Sequence, residues 1–137
     1  MKASELIEHL QVDLADELAA ITQYMYHHVM VTGAQAPAIT DLFRKVSIDE
    51  MKHAERLAER ICELGGVPTV KPTEIKVGGD WMQMVREDLE GELRAIETYR
   101  KQIKMIGDDN PITRRLLEDL LIDENRHAEQ WKTVLGK

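Results

Sequence analysis

Two seven-residue stretches hold the side chains most able to do chemistry: Asp49-Glu50-Met51-Lys52-His53-Ala54-Glu55 and, later, Asp123-Glu124-Asn125-Arg126-His127-Ala128-Glu129. Each offers a carboxylate and an imidazole three residues apart. On an α-helix, positions i and i+3 share a face one turn apart, so Glu50 with His53, and Glu124 with His127, can each close on one metal ion. A lone Glu-x-x-His is ordinary on a solvated helix surface. Two copies in matching context point instead to a built site.

The context does match. Glu17-Leu18-Ala19-Ala20-Ile21-Thr22-Gln23-Tyr24 and Glu92-Leu93-Arg94-Ala95-Ile96-Glu97-Thr98-Tyr99 share Glu, Leu, Ala, Ile and Tyr at the same offsets. Glu50 follows Glu17 by 33 positions, and Glu124 follows Glu92 by 32. The chain therefore reads as two copies of one helical hairpin, each carrying Glu and then Glu-x-x-His on its inner face. Four Glu and two His form the ligand set of a carboxylate-bridged dinuclear site inside a four-helix bundle, where two helices give one Glu each and two give Glu-x-x-His. Hard carboxylate oxygens with one imidazole per metal suit iron, with manganese as the other fit, and leave coordination positions open for O2 or peroxide.

The run Glu17 to Tyr24, together with Asp49 to Glu55, resembles bacterioferritin, within the ferritin-like di-iron carboxylate superfamily. The resemblance extends from about Ser4 to Trp131 and implies an all-α, ferritin-like antiparallel four-helix bundle. It implies Glu50 and Glu124 as bridging ligands, Glu17 with His53 completing one metal and Glu92 with His127 the other. It further implies two iron ions, oxidation of Fe(II) to Fe(III) with O2 or H2O2, and a role in iron storage or detoxification. Met51 sits where members of that family donate a methionine from each of two subunits to a haem b, so a haem-bridged homodimer is part of the expectation. One departure stands out: bacterioferritins continue into a short fifth helix, whereas this chain stops at Lys137.

Four further residues are candidates to support the ligands. Asp49 and Asp123 each stand one residue before a ligand Glu and four before a ligand His, where a carboxylate can accept the second imidazole hydrogen and hold the ring. Tyr24 and Tyr99 face the same interior, able to hydrogen-bond ligand carboxylates or to be oxidised in single-electron steps. His9, His27 and His28 lack partners at metal spacing and are expected at surface or interface positions.

Apolar residues at three- and four-residue steps predict the helices that position these groups. The first is expected from an N-cap at Ser4 to Gly33, with Leu6, Leu10, Leu14, Glu17, Ile21, Tyr24 and His28 inward. A connection through Pro37 leads to a second helix, from about Ala38 to Leu64, ended by Gly65-Gly66. Val67 to Asp80 has no helical pattern and is long enough to run from one end of a bundle to the other, so one long crossover between helices 2 and 3 is expected. Within it, Ile75 and Val77 alternate as in a strand. Asp80 is the N-cap expected for the third helix and Gly107 its stop. Asn110-Pro111 opens the fourth, with proline at the first helical position.

At 137 residues the chain is expected to form one ferritin-like domain, residues 1–137. A net charge of −7 with no basic cluster argues against nucleic acid as a partner and favours concentrating divalent cations. No stretch is apolar enough to span a membrane and the N-terminus does not read as a signal peptide, so a cytoplasmic location is the expectation. The single cysteine, Cys62, excludes an intrachain disulfide and a rubredoxin-like iron site, and is expected to pack near the end of helix 2. Two other functions use the same ligands or none: a rubrerythrin- or manganese-catalase-like peroxide-consuming enzyme, and a purely structural or cargo bundle. The last would leave four inward carboxylates without partners, which burial makes costly.

Overall fold

A computed structural model describing residues 1–137 shows four long helices and no strand. They are α1 (Ala3–Met30), α2 (Ala36–Glu63), α3 (Trp81–Ile106) and α4 (Pro111–Val134). Contacts between paired residues set their directions. Gln102 meets Asp13, Tyr99 meets Glu17 and Tyr24 meets Glu92, so α3 runs antiparallel to α1. In the same way Arg60 meets Thr113 and His53 meets Asp123, so α4 runs antiparallel to α2.

Residues 64–80 make the crossover, strapped along α1 in the direction of that helix. Gln11 donates to Val67 O at 2.6 Å and accepts from Thr69 N at 2.8 Å; further along, Thr73 N donates to Ala15 O and Lys76 N to Gln23 Oε1. These bonds satisfy backbone groups that no helix or sheet would. Ile75 and Val77 pair with no neighbouring strand. The turn out of α2 needs both of its glycines: Gly65 adopts φ +96°, and a Cβ on Gly66 would come within 3.0 Å of Ile61 and Ile7 side chains.

The core lies in two apolar clusters on either side of a polar layer. One gathers Leu10, Leu14, Leu57, Ile61, Leu117 and Leu120; the other Tyr24, Phe43, Val46, Val85, Leu89 and Trp131. Each such side chain taken out of water contributes roughly 1.5–3 kcal/mol, and these clusters compensate for the charged layer between them. Leu57, fully buried, is a position where truncation to alanine would cost about 2–5 kcal/mol.

Several helix ends differ from the sequence expectation. Ser4 is not the cap of α1: the helix begins at Ala3 after Lys2, with no side-chain cap. It leaves at Val31, extended at φ −63° and ψ 132°, before Gly33 is reached. Pro37 lies in the first turn of α2 rather than in the connection. There its missing N–H costs nothing, because first-turn donors have no intrahelical acceptor. Asp80 and Asn110 cap α3 and α4, accepting from Gln83 N at 2.9 Å and Thr113 N at 3.0 Å. Cys62 is exposed, facing away from the cluster that takes its neighbour Ile61. No helix is long and apolar enough to cross a membrane.

Candidate metal centre

The polar layer is built from all four helices. Glu17 comes from α1, Glu50 and His53 from α2, Glu92 from α3, and Glu124 and His127 from α4; none is more than 3% exposed. Their ligand atoms form two overlapping quartets, Glu17–Glu50–His53–Glu124 and Glu50–Glu92–Glu124–His127, within each of which all atoms lie within 4.8 Å of one another. Glu50 and Glu124 belong to both. His53 Nδ1 stands 3.2 Å from Glu50 Oε1 and 3.1 Å from Glu124 Oε1, and His127 Nδ1 stands 3.5 Å from each of the same two atoms.

One atom of every member has no hydrogen-bond partner although it is shut off from solvent: Glu17 Oε2, Glu50 Oε1, His53 Nδ1, Glu92 Oε2, Glu124 Oε1 and His127 Nδ1. Four carboxylate oxygens and two imidazole nitrogens converging in a core are the donor set that divalent cations satisfy once the imidazoles give up their protons, and that a metal-free core would have to carry at a cost. The chemistry of the residues present therefore fits a pair of metal ions.

Electrostatics tell the same story. Burial pushes Glu17 up, Glu50 well up and Glu92 to about 8, each with the charge of Glu124 adding to the effect. For Glu124 burial also pushes upward, but contacts with His127 and His53 outweigh it and hold that carboxyl at about 2. Burial alone would lower the two imidazoles; the surrounding carboxylates reverse this and raise His53 to about 11 and His127 to about 10. In the absence of metal, protons stand in for cations.

The remaining polar atoms are fixed across the bundle rather than along single helices. His53 Nε2 lies 2.8 Å from Asp123 Oδ2, and His127 Nε2 lies 2.9 Å from Asp49 Oδ2. The i, i+4 spacing of Asp49 with His53, and of Asp123 with His127, is not the one used: each aspartate serves the other motif's histidine. Both tyrosines cross over as well. Tyr24 donates to Glu92 Oε1 at 2.6 Å and Tyr99 to Glu17 Oε1 at 2.7 Å. Trp131 Nε1 in turn donates to Tyr24, so that side carries a longer hydrogen-bonded chain.

A cleft of about 480 Å³ between α1 and α3 reaches Glu17, Glu50, Glu92 and Glu124, and is lined also by Thr73 and Lys76 of the crossover. The histidines lie on the α2–α4 side, outside this lining. Met51, beside Glu50 in sequence, points out of the bundle and is 53% exposed.

A model of the ferritin-like domain matches residues 7–137. The chain belongs to the ferritin-like family. It is 33% identical over 135 residues to a bacterioferritin of Desulfovibrio desulfuricans, covering 97% of this chain and 75% of that one. A bacterioferritin of Streptomyces coelicolor is 35% identical over 133 residues, covering 96% and 80%. Among solved structures, a ferritin-like di-iron carboxylate protein from Bacillus anthracis superposes with a TM-score of 0.92 at 34% identity, covering 97% of this chain and 96% of that one. A dodecameric thioferritin, the bacterioferritin-related protein of Bacteroides fragilis, shares the fold with a TM-score of 0.93 at 23% identity, covering 99% and 87%. The ferritin-like bundle with its long crossover is thus the fold of this chain.

Sequence reasoning missed one group of buried polar residues in this ferritin-like chain. His27, expected at a surface or interface position, is fully buried inside the chain with Nδ1 2.8 Å from Asp88 Oδ2, and Gln23 donates to Asp88 Oδ1 at 2.8 Å. His28, by contrast, is half-buried against Thr40 O. Asp13, buried against Gln102, was not singled out at all. The signal was present: Asp13 and Asp88 each stand four residues before an outer Glu, and the offset from Asp13 to Asp88 equals that from Glu17 to Glu92.

Proposed function

We propose that this protein is a bacterioferritin-like ferroxidase, oxidising Fe(II) to Fe(III) with O2 or H2O2 at a dinuclear carboxylate-bridged centre and serving iron storage or detoxification. The observation that carries this reading is the set of six converging, partnerless donor atoms. Glu50 and Glu124, shared by both quartets, are assigned as bridges; Glu17 and His53 complete one metal position, Glu92 and His127 the other. Two iron ions held by these residues would together supply the two electrons, one from each, that reduce O2 to peroxide or H2O2 to water.

The chain's own residues do the rest. Asp49 and Asp123 hold the imidazoles so that Nδ1 faces inward, which sets the tautomer and sharpens each nitrogen as a donor. Tyr24 and Tyr99 hold one oxygen of each outer glutamate and leave the other free. The cleft lets Fe(II) and oxidant approach the glutamates without parting the helices. A structural bundle has no use for these donors.

The same reading includes assembly into at least a dimer. Exposed apolar side chains on α1, among them Met25, Val29 and Met30, support it, as does the dodecameric state named for the Bacteroides fragilis protein. The exposure of Met51 on the outer face supports the part of this reading in which it donates to a haem b shared between two copies. Visible absorption of the purified protein, read with its mass in solution, tests both.

The central test loads metal-free protein with Fe(II) anaerobically and then adds O2 or H2O2. Rapid oxidation with about two Fe(II) per chain is expected, lost in Glu50→Ala and in Glu124→Ala while far-UV circular dichroism stays helical. Oxidation no faster than that of free Fe(II), or undiminished in both variants, refutes the proposal.

A further inference from the structure

The internal repeat places two aspartates in equivalent positions flanking the centre. Asp13 on α1 and Asp88 on α3 are each one helical turn before an outer glutamate, each 1% exposed, and both line the cleft. Their surroundings differ at one atom. Asp88 is saturated, with Oδ2 on His27 and Oδ1 on Gln23. Asp13 accepts from Gln102 through Oδ1 at 2.8 Å, but its Oδ2 has no partner and is closed to bulk water. Where the first copy of the repeat carries His27 and Gln23, the second carries Gln102 and Thr98, and of these only the Gln102 amide nitrogen bonds Asp13, through Oδ1.

A bare, buried carboxylate oxygen is a costly feature that a cation removes. Asp13 shares its helical face with Glu17, whose Oε2 is also without a partner. Nearer the solvent, Asp16 and Glu74 add acidic character to the same cleft against Lys76 and Arg94. We propose that Asp13 Oδ2 anchors a third, more weakly held divalent-cation site in this cleft, where incoming Fe(II) is held one helical turn from Glu17 before it moves onto the four glutamates. The inference rests on reading the six-residue cluster as a dinuclear centre. Small divalent ions that keep several waters need only one or two protein carboxylates, so one anchor with its neighbours suffices. Burial pushes the Asp13 carboxyl to about 8, with the Gln102 hydrogen bond opposing and the charges of Glu17 and Asp16 adding to the rise. A bound cation supplies the missing countercharge.

Mn(II) is the probe, since it binds similar donors without being oxidised under mild conditions. Crystals of the full-length, metal-free protein are soaked in Mn(II) and anomalous scattering is recorded. Mn(II) binding in solution at neutral pH is also titrated for wild type and for Asp13→Asn, which keeps the side chain's shape and its Oδ1. The expected result is density beside Asp13 Oδ2 in addition to two ions among the glutamates, with about three equivalents bound by wild type and about two by the variant. Two central ions with none at Asp13, or an unchanged third equivalent in Asp13→Asn, overturns this inference and leaves the dinuclear reading standing. No ion at either place overturns both. Should Asp13→Asn fail to fold, the wild-type soak decides alone.

Discussion

Asp49 on α2 holds His127 on α4, with Oδ2 2.9 Å from Nε2, and Asp123 on α4 returns the contact to His53 on α2 at 2.8 Å. The two Glu-x-x-His motifs are thereby locked to one another, so neither of the proposed metal positions is the property of one helix pair. Loss of Asp49 should weaken metal binding at the position that uses His127, by roughly 10–100-fold. In metal-free protein, Asp49→Ala should couple more strongly to His127→Ala, by about 0.5–3 kcal/mol, than to His53→Ala. Double-mutant cycles from urea denaturation measure this. Stronger coupling within the helix would show the exchange of partners to be wrong.

The two tyrosines are alike in role and unlike in connection. Tyr24 donates to Glu92 and accepts from Trp131, whereas Tyr99 only donates to Glu17. Tyr24→Phe therefore strands two buried polar groups and Tyr99→Phe one. The expected losses in metal-free stability are roughly 2–4 and 1–2 kcal/mol respectively. Equal losses in denaturant titrations would mean that the Trp131 contact is energetically idle.

His27 and Asp88 form a buried pair, both side chains being fully enclosed. Removing the imidazole strands Asp88 Oδ2 and leaves a cavity beside Phe43, so His27→Ala should cost about 2–5 kcal/mol. His28→Ala loses a half-buried bond to Thr40 O and should cost about 1 kcal/mol. Thermal or urea unfolding of the two variants separates these adjacent histidines, and a reversed order would place His27 outside the core.

The stability of the metal-free protein should fall as pH rises. Glu92 and Asp13 are raised to about 8, so the stability of their neutral forms is complete below their unfolded values and is lost as pH climbs through 8. His53 and His127, raised to about 11 and about 10, stabilise fully below their unfolded value and lose that contribution at higher pH still. Glu124, held at about 2, acts oppositely: its contribution is present above its unfolded value and lost only as pH falls toward 2. Metal replaces these protons. The gap in melting temperature between Mn(II)-loaded and metal-free protein should therefore widen from about pH 5 to about pH 9, with protons released on loading. A gap independent of pH would contradict the protonation pattern.

What could be read from the amino-acid sequence was whatever depends on local spacing. Four helical stripes, the glycine and Asn-Pro boundaries, the patternless stretch after Gly66 and the doubled Glu then Glu-x-x-His are all properties of residues a few positions apart. The family resemblance rests on the same stretches. The errors were local competitions settled by context: Pro37 lies inside a first turn that tolerates it, Cys62 turned outward beside the buried Ile61, and α1 extends past Ser4.

What the tertiary structure alone decided was which face meets which. Helical periodicity tells which residues share a side of one helix, but the direction and stagger of its neighbour choose their partners. On antiparallel helices, an aspartate four residues before a histidine meets the histidine four residues after an aspartate. That is why Asp49 reaches His127 and not His53. The same stagger carries Tyr24 to Glu92 and encloses His27 against Asp88. It also leaves Asp13 with one oxygen bare, a difference between the two halves that goes with Gln102 and Thr98 standing in one copy where His27 and Gln23 stand in the other.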